Sequence, residues 1–518
     1  MKVRSATPHP TGHTARHASV AALVAGTLAA AAATTMTAST PAAATEIPTP
    51  ATVVAKTTGR NSVSSTDTRW LVSGTDLGIA WDNGQGQTLT LFGDTFGDWT
   101  GPGGGGGDWR SNVLLRSDDN DLSDGITYGS AVEDRPGHAA ELIPSAKVDG
   151  VEMTTIPTAA ISVGGRQYMA YMSVRHWGPP GLWDTNFSQL AYSDDNGKTW
   201  KTTGAPRWTN NADGTDPFQM VAFTRDQGYV YMFGTPNGRV GQAHVARVNA
   251  NQMLDAKAWR YWDGRRWSKS EADAVPVVDA HVSELSVRRD IGSGLWQMVY
   301  LEDSDIVLRT SASPTGPWTD RQVAVTFADY PALYGGFIDP RSTSGDVYLA
   351  VSQWEPYNAY LMHLSLDDKG RIVAPNLIRD PGFERQGTSS VAAPWVCGST
   401  CGVDHDHTIA FSGTHNGWVR ATTGWNNLYH DLAVEPHTSY VMSAWLRTSA
   451  NNNAGYVGVR TTGGTVVAER GFHRVDGWTR YDIRFNSGDA TTLQAYAGFW
   501  AHGDTWLQLD EVSVRAGS

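Results

Sequence analysis

An all-β chain in two parts is predicted by three features of the sequence. Glycine is abundant, at 55 of 518 residues, beside 21 Trp, 18 Tyr and 13 Phe. The apolar runs are short and end at Gly, Asp, Asn or Pro, as strands and turns do. Amphipathic helical periodicity is absent from residues 66–374, except around 250–257. The length exceeds one ordinary domain, and 40% hydrophobic residues suffice for real cores.

The N-terminus reads as an address. Lys2, Arg4 and Arg16 precede an apolar run from Val20 to Ala33, and small residues follow to Pro41-Ala42-Ala43-Ala44. This is a secretory signal pattern over residues 1–44. A membrane anchor is the alternative, but no apolar run reaches the roughly 20 residues that cross a bilayer. A secreted, extracellular protein without membrane insertion is therefore expected. Residues 45–65, rich in Thr, Ser, Pro and Ala, read as a flexible leader. The net charge of -12 argues against a nucleic-acid partner, and a monomer is expected. In an oxidising compartment, Cys397 and Cys401 in Cys-Gly-Ser-Thr-Cys are expected to form a local disulfide.

Residues 66–374 carry five strand clusters with a common theme: Leu89–Asp94, Tyr168–Met172, Tyr229–Phe233, Leu295–Tyr300 and Asp346–Ser352. Most follow one strand and precede another. Five meanders predict a five-bladed β-propeller, with a β-sandwich or β-helix as the alternative. Ser193-Asp194-Asp195-Asn196-Gly197-Lys198-Thr199-Trp200 resembles the Asp-box, a hairpin turn, so Asp195 is read as structural. A degenerate echo spans Ser311–Trp318 in the fourth unit.

A polar turn from Asp367, ending in Pro375, separates the second block, 376–518. Asn376–Glu384, Tyr440–Arg447, Gly477–Tyr481 and Trp506–Val512 occur there in an order similar to the jelly-roll carbohydrate-binding modules of secreted glycosidases. The resemblance implies a β-sandwich and a structural calcium position near Glu384 and Asp510, which suit that oxygen-seeking ion; a satisfied surface pair is the alternative. Trp418, Trp425, Tyr429 and Trp500 are candidate sugar platforms, with core packing as the alternative for each.

In the first block, Asp76 in Thr-Asp-Leu-Gly and Asp94 in Phe-Gly-Asp-Thr-Phe both sit beside apolar residues on strands. Partial desolvation there raises a carboxyl pKa, and two carboxyls are what glycoside hydrolysis needs. A turn-capping role is the alternative. Phe92–Phe96, Asp108–Asn112, Tyr171–Trp177 and Gln353–Tyr357 follow in order. The set resembles the endo-D-arabinanases of glycoside hydrolase family 183, formerly domain of unknown function 4185. That resemblance implies a five-bladed propeller, with Asp76 and Asp94 carrying cleavage of α-D-arabinofuranosyl chains of mycobacterial-type arabinogalactan and lipoarabinomannan. No cofactor is expected for catalysis.

Further candidates for contact with an arabinan-type polysaccharide are Arg110 and Asn112, which could instead fix the charge of Asp94, and the loop residues His176, Trp177, Trp183, Asp184 and Asn186. Gln353, Trp354 and Glu355 end the fifth unit's strand. Glu284 and Asp339 are the inner-strand acids of units four and five, read as a third carboxylate, a modulator or a structural acid. The glycine run 103–107 is expected to leave its loop mobile. Two rivals stand: a non-catalytic glycan-binding protein, in which Asp76 and Asp94 share no cleft, and a sialidase-type exo-glycosidase, which needs an arginine cluster such as Arg110, Arg175 and Arg309.

Overall fold

The computed structural model describes residues 49–373 and 376–516. The expected signal segment, the first four residues of the leader, and Ala374 and Pro375 of the seam lie outside the described residues.

The first block is a five-bladed propeller. Each blade is an antiparallel meander of four or five strands built from the central channel outward. Blade 1 comprises Gly74–Asp82, Thr88–Trp99, Val113–Ser117 and Ser130–Ala131; blade 2 comprises Thr154–Val163, Arg166–Trp177, Trp183–Ser193 and Arg207–Thr209. Blade 3 begins with Met220–Asp226 and Tyr229–Thr235, and blade 4 with Ser283–Arg289 and Trp296–Glu302. Blade 5 has Leu333–Ile338, Asp346–Gln353 and Asn358–Leu366. The inner strands touch their neighbours in ring order, and that of blade 5 returns to blade 1. All five clusters read from the sequence fall on the second strands of the blades. The apolar, β-branched and aromatic residues there face both neighbouring blades, so they read as continuous runs.

One expectation is corrected. Thr52–Lys56, read as part of a flexible leader, is the outermost strand of blade 5. It pairs antiparallel with Asn358–Leu366, Lys56 opposite Tyr360 and Thr52 opposite His363. Val53, Val54 and Ala55 are buried, and Thr49 donates its backbone N–H to Asp329 at 2.9 Å. Ring closure by a strand from the opposite end of the chain gives blade 5 a paired outer strand. Residues 250–257 form two short 3₁₀ turns, Ala250–Gln252 and Ala256–Ala258, in place of a helix.

The Asp-box and its echo occupy equivalent turns after the third strands of blades 2 and 4. Asp195 accepts from Thr199 N at 2.8 Å and from Ser193 Oγ at 2.7 Å, and Trp200 donates back to the Gly197 carbonyl at 3.0 Å. Its function is to close a turn.

The second block is an eight-stranded antiparallel β-domain around its own apolar core, which includes Val419, Leu428, Leu446, Val457 and Phe499. His415–Ala433 and Thr492–Ala516 pair along much of their length. Cys397 and Cys401 are disulfide-bonded. This domain is bolted to the propeller. Phe411 belongs to the propeller's buried cluster, with Trp445 and Trp478 packed against it. Tyr330 donates to Glu511 at 2.7 Å, and Gly413 N donates to Gln353 Oε1 at 3.1 Å.

The closing strand generates a prediction. Val54→Asp places an unpaired carboxylate in the packed edge of blade 5 and should destabilise the protein by about 3 kcal/mol or more. A urea midpoint equal to wild type would show that the strand contributes nothing to closure.

Candidate active site

The inner strands of three blades carry the same backbone irregularity near their first residues. In blade 1 the register shifts on both sides of Leu77, which has φ +70°, and Gly78 follows at φ +107°. In blade 4 the shift spans Ser283 to Ser286, with Glu284 at φ +42°. In blade 5 it spans Gly335 to Phe337, with both glycines at positive φ. Such bulges turn a side chain out of the strand's alternation. Here they bring Asp76, Glu284 and Tyr334 to one end of the channel. A non-glycine left-handed residue such as Leu77 is strained and must be held. Ser352 of blade 5 holds it, accepting from Leu77 N at 2.7 Å and donating to Leu77 O at 3.3 Å.

Asp76 and Asp94 converge. Asp94 lies on the second strand of blade 1, and a Cβ on its neighbour Gly93 would come within 2.3 Å of Asp76 Oδ1. Both residues keep some surface open to solvent, yet enough protein surrounds their carboxyls for burial to dominate their titration. Burial first, and the Asp94 charge second, push Asp76 up to about 7, against the opposing hydrogen bonds of Tyr334 and Tyr357 and with a small further rise from Glu284. Tyr334 donates to Oδ2 at 3.1 Å, while Oδ1 is buried without a hydrogen-bond partner among the described residues. Burial also raises Asp94, to about 6, but stronger donors restrain it. Thr154 Oγ1 of blade 2 and Trp109 Nε1 both donate to Asp94 Oδ1, at 2.6 and 2.7 Å. Lys147 opposes the rise too; its ammonium sits 4.5 Å from the Trp109 ring centroid and 2.6 Å from Glu141.

The other sequence candidates divide. Glu284 stands at the same end of the channel, paired with Arg239 at 2.6 Å, and that guanidinium lies 5.3 Å from the Tyr334 ring centroid. His176 and Trp177 end the second strand of blade 2 beside Thr154, since Val174 is opposite that residue. His176 is held by Asp149 at 2.7 Å. Trp177 is 39% exposed and meets buried Trp183 edge-on at 5.7 Å. Trp354 is 50% exposed and stands edge-on to Tyr357 at 5.5 Å.

Several candidates are engaged by other groups of the protein. Arg110 is buried and directs its guanidinium to the carbonyls of Trp70, Leu71 and Ala139. Asn112 is fully buried; it donates to Ile143 O and Thr155 O and accepts from Leu142 N and Ile143 N. Neither presents a hydrogen-bonding group to a sugar, since Arg110 Nε, though without a partner among the described residues, is buried. Asn186 is committed to Val151 O and Ser173 Oγ, and Asp184 pairs with Arg175 at 3.1 Å. Gln353 is buried and accepts from Gly413 of the second domain; Glu355 pairs with His407 of that domain at 3.2 Å. Asp339 is misplaced by the inner-strand reading. It follows Ile338, at the end of the strand opposite Tyr334, and is paired with Arg341 at 2.6 Å. A cavity of about 210 Å³ opens at that far mouth of the channel, lined by Ile338 and Pro340 among others.

Arg110, Arg175 and Arg309 lie on blades 1, 2 and 4 with separate partners, Arg309 on Tyr300 and Glu302, so they form no anion clamp together. The glycine loop packs rather than projects: a Cβ on Gly103 would come within 2.2 Å of the Trp354 ring, and Trp99 Nε1 donates to Gly103 O at 2.8 Å. The side chains that sequence reasoning missed are Tyr334, Tyr357, Trp109, Thr154, Lys147 and Arg239. Trp109 and Tyr357 stood inside quoted motifs; Tyr334 was signalled only by the two glycines after it.

In the second domain, Glu384, Asp510 and Glu511 do cluster. Burial, then the neighbouring Glu511 charge, pushes Asp510 up. Glu384 accepts from Thr414 N and His415 N, and Asp510 from Phe411 N and Ser412 N. Those oxygens serve backbone donors, and among the described residues no group of three or more His, Cys, Asp or Glu is arranged to hold a metal ion. The calcium expectation does not fit this donor set. On another surface, Trp425 lies 5.8 Å from Trp500, which is 51% exposed, and Arg460 covers Tyr429 and Tyr496. Trp418 packs over Gly402.

The profile of a family described as a domain of unknown function (DUF4185) matches residues 61–363. Notoamide biosynthesis cluster protein J of Aspergillus sp. (strain MF297-2) is 37% identical over 308 residues, 55% of this chain and 81% of that protein. An uncharacterized 35.9 kDa protein of Mycolicibacterium smegmatis is 24% identical over 298 residues, 52% of this chain and 83% of that protein. Among solved structures, an exo-β-1,3-galactanase from Phanerochaete chrysosporium aligns with 90% of this chain and 100% of its own, at 12% identity and a TM-score of 0.43.

Two variants test the site's physics. Asp76 holds its proton more tightly when folded than unfolded, so its burial lowers stability increasingly as pH rises from about 4 towards about 7. Asp76→Asn should therefore raise unfolding stability by about 1–2 kcal/mol at pH 8 and leave it nearly unchanged at pH 4. Equal effects at both pH values would show that Asp76 does not titrate as described. Gly93→Ala should displace the Asp76 carboxyl by a Cβ clash, lowering activity at least tenfold while circular dichroism stays native; unchanged activity would remove the close approach from the site.

Proposed function

We propose, from the premise that this chain belongs to the DUF4185 family, that it is a secreted endo-acting glycoside hydrolase of α-D-arabinofuranosyl linkages. The observation that carries the reading is the pair Asp76 and Asp94: two carboxyls in one site, held in unequal environments. Unequal pKa values assign unequal roles. Asp76, the higher, is the general acid. Its carboxyl, held protonated near neutral pH by burial and by the Asp94 charge, is the group that gives a proton to the leaving glycosidic oxygen. Asp94, restrained by Thr154 and Trp109, is the carboxylate that acts on the anomeric carbon or its attacking water. Tyr334 and Tyr357 orient Asp76, and the charge pair of Glu284 and Arg239 sets the local field.

An endo mode is supported by two exposed tryptophans, Trp177 on blade 2 and Trp354 on blade 5. These blades flank blade 1, and both residues end second strands on the side of the ring where Asp76 lies. Flat rings on either side suit a chain that passes over the acids. The arabinan of mycobacterial-type arabinogalactan and lipoarabinomannan is favoured as substrate by the four ordered motifs that resemble family 183. The second domain, with Trp425 and Trp500 on its surface, is read as a carbohydrate-binding module.

The test is incubation with purified mycobacterial arabinogalactan, with chromatography of the products. A ladder of oligoarabinosides is expected, and Asp76→Asn and Asp94→Asn should each lower kcat/KM by about 10²–10⁴. Retained binding without any wild-type product would favour the lectin reading instead. The pH profile should be bell-shaped: activity falls below about 6 as Asp94 gains its proton and above about 7 as Asp76 loses its own. The limbs belong to the interacting pair. Trp109→Phe removes a donor to the Asp94 carboxylate and should move the acid limb upward; an unmoved limb would reject the assignment.

A further inference from the structure

The second domain reaches the rim of the candidate site. His407, in the loop after the strand Cys401–His405, pairs with Glu355 at 3.2 Å and meets the Trp99 ring edge-on at 5.5 Å. Trp99 ends the strand that carries Asp94. Glu355 follows Trp354, whose exposed ring packs beside Gly103 of the glycine loop and meets the ring of Tyr357 edge-on. Tyr357 in turn bears on the Asp76 carboxyl. The same loop is pinned further along by Phe411, buried with the propeller core, and by Gly413 N on Gln353. His407 and Glu355 both remain partly exposed. The loop is therefore held in place with its polar groups still open to solvent.

We propose that this loop of the second domain is a wall of the cleft, and that His407, Glu355 and Trp354 form a composite sugar subsite on the blade 5 side. This rests on the glycan-cleaving reading above. The chemistry fits a neutral glycosyl unit. The Trp354 face offers apolar contact, and the imidazole and carboxylate offer a donor and an acceptor for adjacent hydroxyls. The second domain then acts in choosing which bond of the chain lies over Asp76 and Asp94, in addition to any holding of polysaccharide elsewhere.

The experiment compares full-length wild type, His407→Ala, His407→Gln and Trp354→Ala on arabinogalactan, reading kcat, KM and the lengths of early products. His407→Ala should raise KM about five- to twentyfold, lower kcat less than twofold and shift the early product ladder to different lengths. His407→Gln, which keeps a donor, should recover much of KM. Trp354→Ala should shift the ladder in the same sense. Wild-type KM and product lengths in His407→Ala would overturn the subsite. So would a loss confined to kcat and melting temperature that glutamine does not recover, since that marks a purely structural contact. Absence of product from wild type would overturn the glycan-cleaving reading and the subsite with it, and is distinguished by the wild-type lane alone.

Discussion

The geometry of the candidate site hangs on one bent stretch of backbone. Residues 75–79 leave the regular ladder at Leu77, and the Ser352 hydroxyl bridges both Leu77 N and Leu77 O. Without that bend, Asp76 would alternate with its neighbours along the strand and would not turn towards Asp94. The bend needs Gly78, whose Cβ would approach Ala350 within 2.9 Å, and it needs blade 5 at its side. Blade 5 in turn is completed by the strand Thr52–Lys56. The geometry of the acid pair therefore depends on ring closure, and closure joins segments separated by some 300 residues.

The two acids are tuned from opposite sides. Blade 5 supplies the groups around Asp76: Ser352, Tyr334 and Tyr357. The hairpin of blade 1 and the first strand of blade 2 supply those around Asp94: Trp109 and Thr154. Neutral hydroxyl and indole donors stabilise a carboxylate less than a paired cation does. They let desolvation win on both sides, but by different margins. A tightly paired arginine on either carboxyl would bring its pKa down and remove its value near neutral pH. Arg239, at the same end of the channel, is spent on Glu284.

The fold was legible because blade strands carry a loud local signal. A run such as Tyr229–Phe233 is buried on both faces and bounded by turns, so five runs could be counted. Asp76 and Asp94 were legible because a carboxylate beside apolar residues is conspicuous in a strand. Arg110 and Asn112 were misread because proximity in sequence to Asp94 suggested proximity in chemistry. Their side chains turn instead into the wall behind the strand, where they satisfy backbone carbonyls and amides that would otherwise be buried unpaired. Asp339 was misread because an inner strand has two ends, and the pattern does not say which end faces the site. Tyr334 and Thr154 could not be seen at all, since their role exists only after blades distant in sequence are brought side by side. The strand Thr52–Lys56 was hidden by composition: Thr, Ala and Lys beside Pro and Ser read as a linker, although all five of its residues are buried.

The docking of the second domain follows from the same closure. Blade 5 is where the N-terminal strand enters and where the chain leaves the propeller, so the following domain is delivered to that blade. The interface it makes is chemically mixed. Phe411, which stacks on Trp445 of its own domain at 4.0 Å, is buried with the propeller's apolar cluster and supplies the apolar contact, while Asp329, Glu384, Asp510 and Glu511 gather acidic charge beside it. Burial raises Glu511 to about 7, although Ser412 and Tyr330 donate to it. Acid groups whose pKa values rise on folding favour the folded state most at low pH, and this contribution falls as pH climbs towards about 7. The junction and Asp76 thus share one sign of pH dependence. The groups that favour the folded state at mildly acidic pH thus include the proposed acid, which keeps its proton there, so at these positions fold and chemistry draw on a common range of pH.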